Sequence, residues 1–227
     1  MIKDIAIPPH TIAAGALCGF VNGLINIYLK VPAMITTLAT GYVIFTIVLV
    51  LAPGMKTLPD AGLVKFINWN AGGFSMLTIL CLFVAAALAL LLYRTKYGKQ
   101  LHAVGQKRLA ARYAGIPVNK VVILAFTLGG ALCGLSGTLC GAFNGGAFQD
   151  MGATYFLPSI AAAFVGGTAA SGGKSNVAGV CLGALMMYLL TTFLNAASLS
   201  AGMQRFIQGA VLVLILVGSV SGGAKKK

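Results

Sequence analysis

The residues that could carry acid–base or metal chemistry are few and scattered along this chain. Only three of the 227 residues are acidic, Asp4, Asp60 and Asp150, and the two histidines, His10 and His102, lie far apart in the sequence. The five cysteines all fall in apolar stretches without the spacing of paired metal ligands: Cys18, Cys81, Cys133, Cys140 and Cys181. Catalysis and metal binding require such groups in sets. We therefore predict no catalytic residue and no metal site.

A glycine-rich run contains the letters of a phosphate-binding loop but not its spacing. The Walker A pattern places a glycine five positions before its Gly-Lys pair. In GGTAASGGKS that position is Thr168, counted back from Gly173 and Lys174. We predict that the chain binds no nucleotide or other cofactor itself and that the run is a turn between two membrane segments, with Lys174 on the cytoplasmic side.

The one sizeable polar island, residues 93–120, is strongly basic. It contains no acidic residue and seven basic ones: Arg94, Lys96, Lys99, Lys107, Arg108, Arg112 and Lys120. The positive-inside rule places such a loop in the cytoplasm. Good helix formers from Lys107 to Tyr113, followed by Gly115 and Pro117, predict a short interfacial helix. The loop, residues 94–118, is a candidate docking surface, although topology alone would also explain its charge.

The composition of the chain is that of a membrane protein. It is 59% hydrophobic and 8% charged, far from the balance of a soluble domain. The net charge of +13 comes largely from the basic island and the Lys225–Lys227 tail. Anionic lipid headgroups and membrane topology explain this distribution, so we expect a lipid bilayer and no nucleic acid as partner.

The apolar stretches predict an all-α, polytopic membrane helical bundle with about seven hydrophobic segments. We expect these segments to form a single domain over residues 1–227. Two segments, Ala33–Ala52 and Tyr155–Ala170, follow or contain a proline and are candidates for a broken or re-entrant path. The other five windows are Thr11–Leu29, Ser75–Tyr93, Val121–Phe143, Val177–Ala196 and Phe206–Val220. Alternating sides from the basic loop places the carboxy terminus in the cytoplasm and the first residues outside. We therefore expect the chain to lack amino-terminal spans.

Glycines recur at intervals of four in the predicted spans. This small-xxx-small spacing lets helix backbones approach closely in a membrane. It predicts tight packing within the bundle, with sliding or dimerising surfaces as the alternative. The stripes are Gly15, Gly19 and Gly23; Gly130 and Gly134; Gly137 and Gly141; and Gly179 and Gly183.

Polar residues within or beside the spans are candidates for a solute pathway, since such groups cost free energy in hydrocarbon. Those nearest the first two segments are Asn22, Asn26, Thr36 and Thr37. Phe143, Asn144 and Phe148 combine aromatic faces with an amide, which suits a neutral polyhydroxylated solute; ordinary interfacial anchoring is the alternative. No acidic residue lies in mid-span, so energy is expected to enter from another subunit.

Three stretches resemble the permease subunits of bacterial ATP-binding cassette importers for monosaccharides, of the ribose, xylose, arabinose, galactose and autoinducer-2 type. These are KVPAMITTLAT (Lys30–Thr40), GKQLHAVGQKRLAARYAGI (Gly98–Ile116) and the glycine-rich Ser159–Leu190. The second is the most specific, although Gln106 and Lys107 replace the usual Gly or Asn pair. Family permeases are also about a hundred residues longer at the amino terminus.

The resemblance implies a permease subunit in the bacterial inner membrane that imports a monosaccharide or similar neutral solute by alternating access. Its implied partners are cytoplasmic ATPases that hold ATP and Mg, a second permease copy or paralogue, and an extracytoplasmic solute-binding protein. The matching loop would contain the helix that docks into the ATPase. That role then falls to Lys107, Arg108, Ala110, Ala111, Arg112 and Gly115.

Two other interpretations stay open at this stage. A related importer class for branched-chain amino acids or nucleosides shares the basic inner loop and glycine-rich helices. A membrane scaffold or fragment without transport activity is the alternative of another class. A membrane-embedded enzyme is disfavoured by the lack of an acid, base or metal ligand set.

Overall fold

The protein is mostly helical in a computed structural model, which describes residues 9–51, 54, 61–71, 74–168, 172–173 and 175–224. These residues form ten α-helices and one pair of two-residue strands, β1 (Asn70–Ala71) and β2 (Phe74–Ser75), which are antiparallel. The helices are α1 (Pro9–Tyr28), α2 (Ala33–Leu51), α3 (Ala61–Asn68), α4 (Met76–Arg94), α5 (Lys96–Gln106), α6 (Arg108–Tyr113), α7 (Val118–Phe143), α8 (Ala153–Val165), α9 (Val177–Ala196) and α10 (Ala201–Ala224).

Five helices in the described part of the chain are long and apolar enough to cross a membrane: α1, α2, α4, α7 and α9. At 1.5 Å per residue, a helix of about twenty residues matches the ~30 Å hydrocarbon layer. Two further apolar helices, α8 and the Gly202–Ile215 part of α10, are shorter. The prediction of an all-α polytopic membrane bundle is confirmed, and its seven segments correspond roughly to these five long and two shorter helices.

The predicted segment boundaries agree closely with the observed helices. The Val177–Ala196 window coincides with α9, and α2 is continuous from Ala33 to Leu51. The window predicted over Tyr155–Ala170 overlaps the 13-residue α8 (Ala153–Val165), which includes Pro158. A helix of that length covers only about 20 Å, so a re-entrant path for this segment stays a prediction. Lys174 and the Lys225–Lys227 tail lie outside the described residues.

The chain divides into two compact units. The first comprises Met1–Ala86 with Leu109–Gly152, and the second Ala87–Arg108 with Ala153–Lys227. The function of the chain as a single permease domain stays a prediction.

In the first unit, α1 and α7 pack backbone against backbone through glycines. A Cβ atom on Gly15 would overlap the carbonyl oxygen of Gly130, and a Cβ on Gly19 would overlap that of Phe126. Toward the amino end of α1, Gly134 of α7 lies against the backbone of Thr11. The Thr11 and Thr138 hydroxyls, 2.8 Å apart, add a hydrogen bond across the same interface. The four-residue glycine spacing in α1 and α7 therefore forms a tight helix pair, as predicted.

The other packing of the first unit is apolar. Leu63 and Ile67 of α3 form a buried cluster with Leu139 and Ala142 of α7. This cluster lies near the carboxyl end of α7 and holds α3 against it.

In the second unit, α8 and α9 repeat the glycine contact. A Cβ on Gly179 would overlap the carbonyl oxygen of Gly166, and a Cβ on Gly183 would overlap that of Ala162. Ala161 and Ala162 of α8 then form a small buried core with Met187 of α9. The Gly179 and Gly183 stripe is thus a packing surface too, whereas Gly137 of α7 faces open space.

We predict that Gly19→Leu destabilises the protein by separating α1 from α7. The new side chain would meet the Phe126 backbone, which has no rotamer to relieve the overlap, and overpacking of this kind costs about 1–3 kcal/mol or more. Gly137→Leu in α7 is the matched control because a Cβ there meets nothing within 4 Å. The measurement is thermal unfolding of the detergent-solubilised proteins. Equal melting temperatures for the two variants would contradict the assigned interface.

Candidate functional site

The candidate docking helix is α6, Arg108–Tyr113, which the sequence predicted over nearly the same residues. Lys107 alone separates it from α5. That residue is extended, with φ −152° and ψ 105°, and its N–H donates to Ala103 O to close α5. The middle of the basic island, residues 96–113, is therefore two helices joined by one residue.

Gly115 ends α6 with a left-handed residue. Its φ is +77°, and its N–H donates to Arg112 O at 3.1 Å. Ile116 N then donates to Ala111 O at 3.0 Å. These two bonds form a Schellman motif, which satisfies carbonyls that the helix end would otherwise leave unpaired. Gly115, a predicted site residue, thus has a structural reason to be glycine.

The exposed surface of α6 is both basic and apolar. Lys107, Arg108, Ala110 and Arg112 are exposed, as the docking prediction requires. Ala111 is only 4% exposed, so its side chain supports the helix from the inside and is not displayed. The role of these residues in coupling stays a prediction.

Two apolar residues on this surface were missed by the sequence analysis. Leu109 is 71% exposed and Tyr113 is 89% exposed. At positions i and i+4 they lie on one face of α6, roughly opposite Ala111. An apolar pair at helical spacing within a basic segment was the signal that could have identified them.

Helix α5 was also missed. Its amino terminus is capped by Thr95, whose hydroxyl accepts a hydrogen bond from Gly98 N at 3.2 Å. Tyr97, Leu101 and Val104 recur at i, i+4 and i+7, the periodicity that predicts an amphipathic helix. Burial raises the pKa of the Tyr97 phenol, which therefore stays neutral at physiological pH.

The polar candidates of the first two segments meet at the α1–α2 hairpin. Thr40 Oγ1 donates to Asn22 Oδ1 at 2.6 Å, and Asn26 Nδ2 donates to Val31 O at 2.7 Å. Asn26 and Thr36 are buried, with the Thr36 hydroxyl donating to Pro32 O. Thr37 is exposed and donates to Ala33 O at 3.0 Å. These hydrogen bonds lie within the hairpin, and the one between Thr40 and Asn22 joins side chains of its two helices.

The aromatic candidates lie at the end of α7 and in the loop that follows it. Phe143 is 61% exposed and Phe148 is 51% exposed. Asn144 lies between them in sequence, and its Nδ2 donates to Cys140 O at 2.8 Å. The two rings are therefore available to a solute, a lipid or a partner, and their part in a solute pathway stays a prediction.

The groove that the structure shows lies on α2 and is not formed by these polar groups. A shallow apolar groove runs along α2 only, lined by Tyr42, Val43, Thr46, Ile47, Val50 and Leu51. None of the polar candidates lines that groove. No group of three or more His, Cys, Asp or Glu side chains within the described ranges could hold a metal ion.

Comparison with known proteins decides the family. Residues 5–216 match the family described as branched-chain amino acid transport system / permease component. The chain belongs to this permease family. Together with its five span-length helices, this membership makes it a multi-pass membrane protein.

Similar members of the permease family are autoinducer 2 import system permease proteins LsrD. Those of Photorhabdus luminescens and Salmonella typhimurium are each 29% identical, over 92% of this chain and 65% of their own length. That of Yersinia enterocolitica is 29% identical over 92% of this chain and 66% of its own. The chain thus spans about 65% of the length of these relatives. No solved structure matches it.

We predict that Gly115→Ala loosens α6 in this permease-family chain. An alanine at positive φ is strained by roughly 1–2 kcal/mol, which would weaken the Schellman motif. The expected result is faster amide hydrogen exchange over residues 108–116. The exchange is measured by mass spectrometry. Gly129→Ala is the control, because Gly129 lies inside α7 with open space around it and should tolerate a Cβ. Unchanged exchange in Gly115→Ala would contradict the role of the glycine.

Proposed function

We propose that the chain is the transmembrane permease subunit of an ATP-driven importer, moving a monosaccharide or similar neutral polar solute by alternating access. Membership of the permease family supports a transport role. The observation that carries the coupling part of the proposal is α6, a short basic helix with Leu109 and Tyr113 displayed to solvent. Its position in the chain, between α4 and α7, suits a cytoplasmic loop between two spans.

The surface of α6 fits a protein groove better than a lipid surface alone. Arg112 and Lys107 supply positive charge that acidic residues of an ATPase could meet. Leu109 and Tyr113 add an apolar pair that could fill a pocket, as aromatic and aliphatic anchors do at interface centres. In this proposal Ala110 allows close approach, while Ala111 and Gly115 hold the shape of the helix.

The source of energy is assigned to partner ATPases. No Asp or Glu falls within the sequences of α1, α2, α4, α7 or α9. Proton- and sodium-coupled carriers usually place such groups near the membrane midplane. In our proposal ATP and Mg are held by the partner subunits, and hydrolysis drives α6 between two positions.

The solute is proposed to be neutral and polar. The α1–α2 hairpin offers Asn22, Asn26 and Thr37, and the end of α7 offers Asn144, with the exposed rings of Phe143 and Phe148 near it in the sequence. Amides, hydroxyls and aromatic faces are the groups that recognise polyhydroxylated solutes. The relatives are named for autoinducer 2 import, whereas the family is described by branched-chain amino acid transport. A branched-chain amino acid is therefore the second candidate.

The remaining partners and the orientation follow from the same proposal. The basic loop and the carboxy terminus would face the cytoplasm, in agreement with the positive-inside rule. A second permease copy or a paralogue would complete the pathway, and an extracytoplasmic binding protein would deliver the solute.

Purification of the native complex tests this function directly. The complex would be captured through a tag on this chain, and both its proteins and its small molecules identified by mass spectrometry. Recovery of an ATPase and a sugar-loaded binding protein is the expected result. A bound branched-chain amino acid would change the solute, and a preparation without ATPase would overturn the importer.

We predict that Arg112→Glu weakens association with the ATPase by roughly tenfold at low salt, and less at high salt, since it reverses a charge on the docking surface. Arg112 is exposed, so the membrane fold should stay intact. Lys120→Glu, which makes the same charge change at an exposed site outside α6, is the matched control. The measurement is the ratio of ATPase to permease after copurification at two salt concentrations. Normal copurification of Arg112→Glu would remove α6 as the docking element.

A further inference from the structure

Three side chains of the second unit join α4 and α5 to the start of α9. Tyr93 Oη donates to Ser175 O at 3.0 Å and accepts a hydrogen bond from Val177 N at 3.1 Å. Ser175 Oγ lies 3.0 Å from His102 Nε2. Tyr93 is near the end of α4, His102 is on α5, and Ser175 is two residues before α9. We call Tyr93, His102 and Ser175 the clasp.

The hydrogen bonds of His102 define its orientation. Nδ1 lies 2.8 Å from Gly98 O, one turn back in α5. A carbonyl oxygen only accepts, so Nδ1 carries the hydrogen, and Nε2 of the neutral ring accepts from the Ser175 hydroxyl. Both ring nitrogens are thus used, which fixes the imidazole between its own helix and Ser175.

Close backbone contacts reinforce the clasp on both sides. A Cβ on Gly98 would overlap the carbonyl of Leu92, so α5 begins directly against the end of α4. At the other end of α5, a Cβ on Gly105 would lie 2.7 Å from Gly173 N. Gly172 and Gly173, both at positive φ, lie against Gly105 and Gln106. Helix α5 is therefore held along its length, by α4 at its start and by the residues that precede α9 at its end.

The clasp also caps α9. The first N–H groups of a helix have no partner within the helix. Val177 N is satisfied by the Tyr93 hydroxyl, and Gly179 N by Asn176 Oδ1 at 3.1 Å. The first turn of a span-length helix thus depends on a side chain from α4. Movement of α4 relative to that turn would break the bond between Val177 and Tyr93, whereas the bond between Gly179 and Asn176 is local to the start of α9.

We propose that the clasp is the element that transmits movement of α6 to α9. This inference rests on the proposed function, since it needs an ATPase that moves α6. Only Lys107 separates α6 from α5, and α5 is fixed to the amino end of α9 through His102 and Ser175. A displacement of α6 therefore reaches the first turn of α9 instead of being lost in a flexible loop. Tyr93, His102 and Ser175 act as positioning residues and contact neither ATP nor solute.

The test compares the copurified complex with and without Mg²⁺ and a non-hydrolysable ATP analogue. Amide hydrogen exchange is followed in residues 177–180 of α9. In the native chain, the nucleotide should change this exchange. In Ser175→Ala, the basal exchange should rise roughly three- to tenfold, as expected when one neutral hydrogen bond is lost. In His102→Ala, which also loses the contact of Nδ1 with Gly98 O, it should rise at least as much. The change produced by the nucleotide should fall by a similar factor, while the amount of copurified ATPase stays the same.

Matched variants separate transmission from general instability. Ser175→Thr keeps the hydroxyl and should restore the native response. Ser159→Ala in α8, whose hydroxyl bonds only within its own helix turn, and Gln100→Ala in α5 should respond like the native chain. The double variant His102→Ala with Ser175→Ala should be no worse than His102→Ala alone, since His102→Ala already removes the bond to Ser175.

The outcomes separate this inference from the proposed function. If the ATPase copurifies and the nucleotide changes exchange in α9 equally in native and clasp variants, transmission through the clasp is overturned and the importer stands. If Ser175→Thr fails while Ser159→Ala responds normally, the hydroxyl bond is not the transmitting contact and the inference also fails. If the native complex lacks an ATPase, the importer is overturned, and the clasp proposal is overturned with it.

Discussion

The close approach of helix backbones through glycine is the interaction on which both units depend. Between apolar helices in lipid, the hydrophobic effect gives little drive for association, so packing must come from contact area and interhelical hydrogen bonds. Gly15, Gly19 and Gly130 remove the side chains that would separate α1 from α7. Gly166, Gly179 and Gly183 do the same for α8 and α9. Larger residues can then face outward, as the exposed apolar surfaces of α2 and α4 show.

Polar groups in the helices mostly find partners within their own unit. Thr11 bonds to Thr138 across the glycine interface, and Gln208 Nε2 of α10 donates to Thr191 Oγ1 of α9 at 3.3 Å. Such bonds keep polar side chains satisfied where water is absent. The same bonds limit what Asn22 and Thr40 can offer to a passing solute. A pathway through the hairpin would require those partners to be exchanged, which fits alternating access better than a fixed binding site.

The sequence predicted the spans well because their signals are local. Hydropathy predicted every span-length helix in the described residues, and the glycine spacing predicted two of the packing surfaces. Helix α5 was not predicted, because its polar and basic residues obscured the helical periodicity of Tyr97, Leu101 and Val104. The clasp could not be predicted, since His102 and Ser175 are 73 residues apart and only tertiary packing brings them together. The exposure of Leu109 and the burial of Ala111 depend on how α6 is turned about its own axis, which tertiary packing also determines.

In the second unit, α5 has the contacts that its proposed coupling role needs. A helix passes a displacement on to a neighbour only where contacts bind the two together. Helix α5 meets this condition, because glycine contacts and hydrogen bonds fix it near Leu92 and near Gly173. The adjoining α6 has six residues, ends in a Schellman motif and presents most of its surface to solvent. The chain thus combines an exposed helix, the proposed docking element, with a neighbour that is held at both ends, and Lys107 is the single residue between them.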